Sequence, residues 1–76
     1  MTLGYKIKSR REELGMSQVE LAERSKLTQG YISRIEQNQH IPKESTLIVL
    51  AVSLKMSVKE LLSFEERRAD DAQIQD

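Results

Sequence analysis

Apolar residues along this chain recur at helical spacing, and no segment alternates as a strand would. Leu3, Ile7, Arg11 and Leu14 follow a 4-4-3 rhythm, with Lys6, Lys8, Arg10, Glu12 and Glu13 mostly outside it, which predicts a first helix over 3–14. Gly15 stops it and Met16 anchors the connection. Ser17-Gln18-Val19-Glu20 matches a capping box that opens a second short helix with Leu21 and Ala22 on its buried side. Ser25-Lys26-Leu27 is long enough only for a tight turn, and Thr28 can cap a third helix. Asn38 suits the left-handed conformation that ends a helix, and Pro42 separates the third helix from a fourth over 44–54, marked by Leu47, Leu50, Ala51 and Leu54. Ser57-Val58-Lys59-Glu60 is a second capping box, opening a fifth helix with Leu61 and Leu62 buried. The pattern predicts an all-α domain of five short helices, two of them joined by about three residues as in a helix-turn-helix.

The third helix, Thr28 to Glu36, has two unlike sides. Wound at about 100° per residue, Tyr31, Ile32 and Ile35 share one arc, while Gln29, Gly30, Ser33 and Arg34 occupy the opposite arc of about 140°. An ordinary solvated face would carry Glu and Lys in i, i+4 pairs. Long hydrogen-bonding side chains interrupted by very small ones suit the floor of a DNA major groove: Gln bonds adenine bidentately, Arg bonds guanine, and Gly or Ser permits close approach. The plainer alternative is four arbitrary surface residues, and this helix alone does not decide between them.

Composition narrows the field. The 76 residues allow one small core, 38% apolar, with one Phe, two Tyr and no Trp. Without Cys there is neither a disulfide framework nor a thiolate metal site. No apolar run approaches the roughly 18 residues of a membrane span, and the first residues lack the apolar stretch of a signal peptide, so a cytoplasmic protein is expected. The zero net charge conceals an asymmetry: residues 1–64 hold ten Lys/Arg against seven Asp/Glu, and residues 65–76 hold two against five. A mildly basic body has room for phosphate contacts without demanding them. The acidic tail, 65–76, is expected to be frayed helix or disordered, with a linker or a shield against non-specific DNA as its functional alternative.

The run Leu14-Gly15-Met16-Ser17-Gln18-Val19-Glu20-Leu21-Ala22 followed by Thr28-Gln29-Gly30-Tyr31-Ile32-Ser33-Arg34-Ile35-Glu36 resembles the Cro/C1-type, or XRE, helix-turn-helix family. The likeness extends over 5–64, about four-fifths of the chain. It implies a lambda-repressor-like domain of five helices over 1–64, with the third helix in the major groove. By resemblance, Gln29, Gly30, Ser33 and Arg34 match positions that face base edges. Gln18, Thr28, Asn38, Gln39 and Lys43 match positions at or near backbone phosphate, and Arg11 with Glu36 matches a partly buried ion pair between helices 1 and 3. Lys26 stands where the family often has the turn's glycine, so it must tolerate a left-handed backbone or the turn must differ.

Other polar residues are weaker candidates. His40 reads as solvated or phosphate-adjacent, since no second ligand at helical spacing accompanies it for a metal. Arg10 and Lys6 are expected to be solvated, with phosphate contact as the alternative.

These readings imply a duplex-DNA binder acting as a transcriptional regulator, most simply a repressor that binds operator half-sites as a homodimer and needs no cofactor. Dimer contacts are expected near the end of helix 5, from Phe64, Leu54 and Met56, although Phe64 could equally be a last peg closing the core. The competing class is a protein-interaction module, an antitoxin or adaptor, with the tail binding a protein partner. An enzyme is disfavoured by one His, no Cys, no glycine-rich phosphate loop and no carboxylate pair in a credible pocket.

Overall fold

The computed structural model describes residues 2–63. It places helices at α1 (Leu3–Glu13), α2 (Gln18–Ser25), α3 (Gln29–Glu36) and α4 (Glu44–Ser53), with a fifth, α5, running over 58–63. Helix starts are built locally. Thr2 and Thr28 accept from the N–H groups of Tyr5 and Tyr31, at 3.2 and 3.1 Å. Both capping boxes form: Ser17 with Glu20 and Ser57 with Glu60 exchange reciprocal bonds of 2.9–3.2 Å. The Ser57 backbone N–H, then its hydroxyl, hold the Glu60 carboxyl below the ordinary carboxylate range. That support for α5 is therefore in place at neutral pH and is lost as pH falls through the depressed value.

Helix ends share one device. Gly15, Lys26, Asn38 and Lys55 all have φ between 57° and 71°. Each is followed by a residue whose N–H reaches back five positions: Met16 to the Arg11 carbonyl, Leu27 to Ala22, Gln39 to Arg34 and Met56 to Ala51, at 2.8–3.0 Å. This is the Schellman arrangement. Lys26 does adopt the left-handed backbone that the turn requires in place of glycine, and Lys55 repeats it after α4. The reaching residue is apolar and packs on the core at three of the four ends; at α3 it is the exposed Gln39.

Ile7, Leu21, Ile32, Ile35, Leu50, Leu54 and Leu61 are fully enclosed, drawn from all five helices or their caps. Helix α3 packs on α1 and α2, and α2 also packs on α4. Besides Arg11, which meets Glu36 of α3, two polar links supplement the apolar contacts of α1. The Asn38 carbonyl oxygen accepts the Gly4 N–H at 3.1 Å, tying the start of α1 to the end of α3. Arg10 donates from Nε to the Leu54 carbonyl at 3.0 Å and from Nη2 to that of Lys55 at 3.4 Å, so its cation faces the negative end of α4. Arg10 is thus neither merely solvated nor aimed at phosphate.

The expected dimer surface needs a second correction. Leu54 is completely buried and cannot present itself to a partner, because it continues the inward stripe of α4. The outer side of that helix instead exposes Ile48, Val49 and Val52. Phe64 and the tail lie outside the described residues, and among those described no helix is long and apolar enough to cross a membrane.

Gly4 and Lys26 make opposite predictions. A Cβ at Gly4 would lie 2.5 Å from the carbonyl oxygens of Ile35 and Glu36. Gly4→Ala should therefore destabilise by roughly 1–3 kcal/mol in urea unfolding, against the sign of helix propensity. Lys26→Gly should raise stability by about 1 kcal/mol in the same assay, relieving the left-handed strain of an exposed residue.

Candidate nucleic-acid interface

Burial divides α3 as its sequence does. Ile32 and Ile35 are enclosed, and Tyr31 is half-buried against the core. Gln29, Gly30 and Arg34 are exposed, and Ser33 is half-buried. The four candidate base-facing residues therefore share the outward side. Among the described residues Arg34 has no carboxylate partner at ion-pair distance. A Cβ added at Gly30 would meet no atom within 4 Å. Nothing in the protein's own packing calls for glycine there, although it costs about 1 kcal/mol of helix propensity relative to Ala.

A buried polar chain fixes where this side points. Arg11 grips Glu36 with two parallel bonds, Nε to Oε2 at 2.7 Å and Nη2 to Oε1 at 3.1 Å, and its Nη1 donates to the Met16 carbonyl at 2.7 Å. Both side chains are nearly inaccessible, so geometry and full hydrogen bonding must offset desolvation. The hydrogen bond to Glu36, opposed by burial and aided by the charges of Glu36 and Glu12, raises the Arg11 pKa above its already high ordinary value. Arg11 is a permanent cation.

The remaining capacity of Glu36 Oε1 is taken by Gln18 Nε2 at 3.0 Å, and Gln18 Oε1 accepts from Gln29 Nε2 at 3.5 Å. The carboxylate sets the Gln18 amide orientation, since an oxygen turned towards it would be repelled. Gln18 thereby joins the ion pair to the first residue of α3.

The phosphate candidates are placed less uniformly. Gln18 lies at the first position of α2, half-buried, with one amide N–H engaged by Glu36 and one remaining. The Thr28 hydroxyl accepts from Tyr31 N–H and retains its own proton. Asn38 spends its carbonyl oxygen on Gly4 and keeps its amide N–H groups. Gln39 is exposed, and Lys43 precedes α4 with no side-chain cap bond. His40 is exposed but not isolated: its ring lies 4.9 Å from that of Tyr31, tilted by 59°.

One residue on this side escaped the sequence reading. Gln37 is the C-cap of α3, its N–H still bonded to the Ser33 carbonyl at 3.0 Å, so it keeps the helical direction. At about 100° per residue it falls between Ser33 and Gly30, in the middle of the polar arc. Carrying the helical wheel one position past Glu36 would have found it.

Comparison with known proteins agrees with this arrangement. A helix-turn-helix family model matches residues 7–61. An immunity repressor protein of Bacillus phage phi105 is 37% identical over 65 residues, which are 86% of this chain and 45% of that protein. The chain thus spans less than half the length of that curated relative. Among solved structures, SinR, a master regulator for biofilm formation, in complex with DNA, aligns at 37% identity with a TM-score of 0.77, covering 80% of this chain and 98% of that one. The DNA-binding domain of the P22 c2 repressor aligns at 27% identity with a TM-score of 0.79, covering 82% of each chain. With α2 and α3 joined through the left-handed Lys26 turn and the family match running from Ile7 to Leu61, the chain belongs to the helix-turn-helix family, of the Cro/C1 type.

Proposed function

We propose that this protein is a sequence-specific duplex-DNA-binding transcriptional regulator, a repressor that acts in the cytoplasm and binds operator half-sites as a homodimer. The observation that carries the proposal is Gly30. An exposed helical glycine with open space around it makes sense when another surface, here the edge of the bases, must come closer than a side chain allows. Exposed Gln29 and Arg34 on the same side supply hydrogen-bonding groups for that surface. The relatives add weight: one is an immunity repressor, and another was solved with DNA.

A protein-interaction role would be favoured if another part of the molecule covered this side, but the described residues leave it open. In the proposed complex, Gln29, Gly30, Ser33 and Arg34 face base edges, while Gln18, Thr28, Asn38, Gln39 and Lys43 hold the flanking phosphates. The ion pair of Arg11 and Glu36 keeps α3 at a fixed angle to α1. Two copies are needed because one eight-residue helix reads few base pairs. The outer side of α4, with Ile48, Val49 and Val52 exposed beyond Glu44, is compatible with self-association.

Two measurements test the proposal. Gly30→Ala should stabilise the free protein by about 1 kcal/mol in thermal or urea unfolding while weakening specific DNA binding; gains in both would remove the reason for glycine. Arg34→Ala should lose roughly 1–3 kcal/mol at one base pair of a selected operator and relax specificity there, whereas Lys43→Ala should weaken all duplexes alike and lower the salt slope by about 1. Equal losses on specific and random duplexes for Arg34→Ala would refute its base-reading role.

A further inference from the structure

Several helical serines in this fold turn their hydroxyls back on the backbone. Ser25 Oγ donates to the Leu21 carbonyl at 2.7 Å, and Ser53 Oγ donates to that of Val49 at 2.8 Å. Ser33 behaves differently: its Oγ accepts from Gln37 Nε2 at 2.8 Å. The bond runs along the polar side of α3 and engages one of the two amide protons of Gln37. It leaves one N–H and Oε1, a donor and an acceptor of the kind that bidentate recognition of adenine N7 and N6 uses.

We infer that Gln37 is an adenine-reading residue at the C-terminal end of the recognition helix and that Ser33 is its positioning residue. The inference rests on the DNA-binding proposal and extends it by one residue and one base. A free glutamine on a helix end would lose rotamer freedom on meeting a base; the bond to Ser33 removes part of that loss beforehand. The same bond restricts the directions the amide can take. Ser33, on the base-facing side itself, acts also through its neighbour.

The test is selection of operators from a randomised duplex library with the full chain, followed by competition binding for wild type, Gln37→Ala, Gln37→Glu, Ser33→Ala and Ser33→Thr. For wild type, one position should require adenine. Gln37→Ala should lower discrimination there by about 5- to 150-fold and leave the other positions unchanged. Gln37→Glu, which loses the donor, should move the preference at that position towards cytosine, whose N4 amine it can accept. Ser33→Ala should weaken the same preference, Ser33→Thr should restore it, and the double Ser33→Ala, Gln37→Ala variant should lose no more than Gln37→Ala alone.

Uniform weakening over all sequences by Gln37→Ala would make it a phosphate contact and overturn the assignment, as would unchanged binding. Preference altered at a different base pair by Ser33→Ala would overturn the positioning role. A wild-type protein that selects no sequence would instead overturn the base-reading function, and the assignment with it.

Discussion

The buried pairing of Arg11 with Glu36 is the constraint on which the rest of this small fold depends. An eight-residue helix such as α3 is too short to be stable alone and takes its position from what it packs against. Ile32 and Ile35 hold it to the core, but apolar contacts by themselves tolerate sliding and rotation. The two parallel bonds from Arg11 do not, because both the distance and the plane of the carboxylate must match. Removing one partner would leave a charge without its counter-ion in a dry site, which typically destabilises by about 3–5 kcal/mol.

From that pair the ordering passes outward. Glu36 orients Gln18, and Gln18 lies beside Gln29, so a side chain at the start of α2 and another at the start of α3 are arranged by a carboxylate at the opposite end of α3. Gly4 and Asn38 perform a related task at the back of the same helix. The missing Cβ lets α1 meet the α3 carbonyls, and Asn38, turned left-handed, returns a hydrogen bond to the first turn of α1. The outward side of α3 is free of packing duties because its inward side and both ends are already fastened.

Gly4 and Gly30 show why a glycine has no meaning apart from its surroundings. At Gly4 a methyl group would collide with backbone, and the residue is explained by the protein itself. At Gly30 the same methyl would stand in open space, so the explanation must come from outside. Both sit inside helices and both lower helix propensity. The helical wheel set Gly30 on the polar arc, but it could not distinguish a glycine required by a neighbouring helix from one required by a ligand.

The sequence by itself determined whatever depends on neighbours three to six residues apart: the capping boxes at Ser17 and Ser57, the stops at Gly15 and Asn38, and the inward and outward sides of α3. These are governed by helical geometry and by the few residue types that satisfy orphan backbone groups. The resemblance to a family added the Arg11–Glu36 pair. The tertiary structure alone decided that Arg10 caps α4 across 44 positions, that Asn38 bonds Gly4 across 34, and that Gln37 engages Ser33. The first two join helices whose angle and approach no local spacing specifies. The third is local but depends on the last turn remaining helical through its cap, which the backbone hydrogen bond from Gln37 to Ser33 secures.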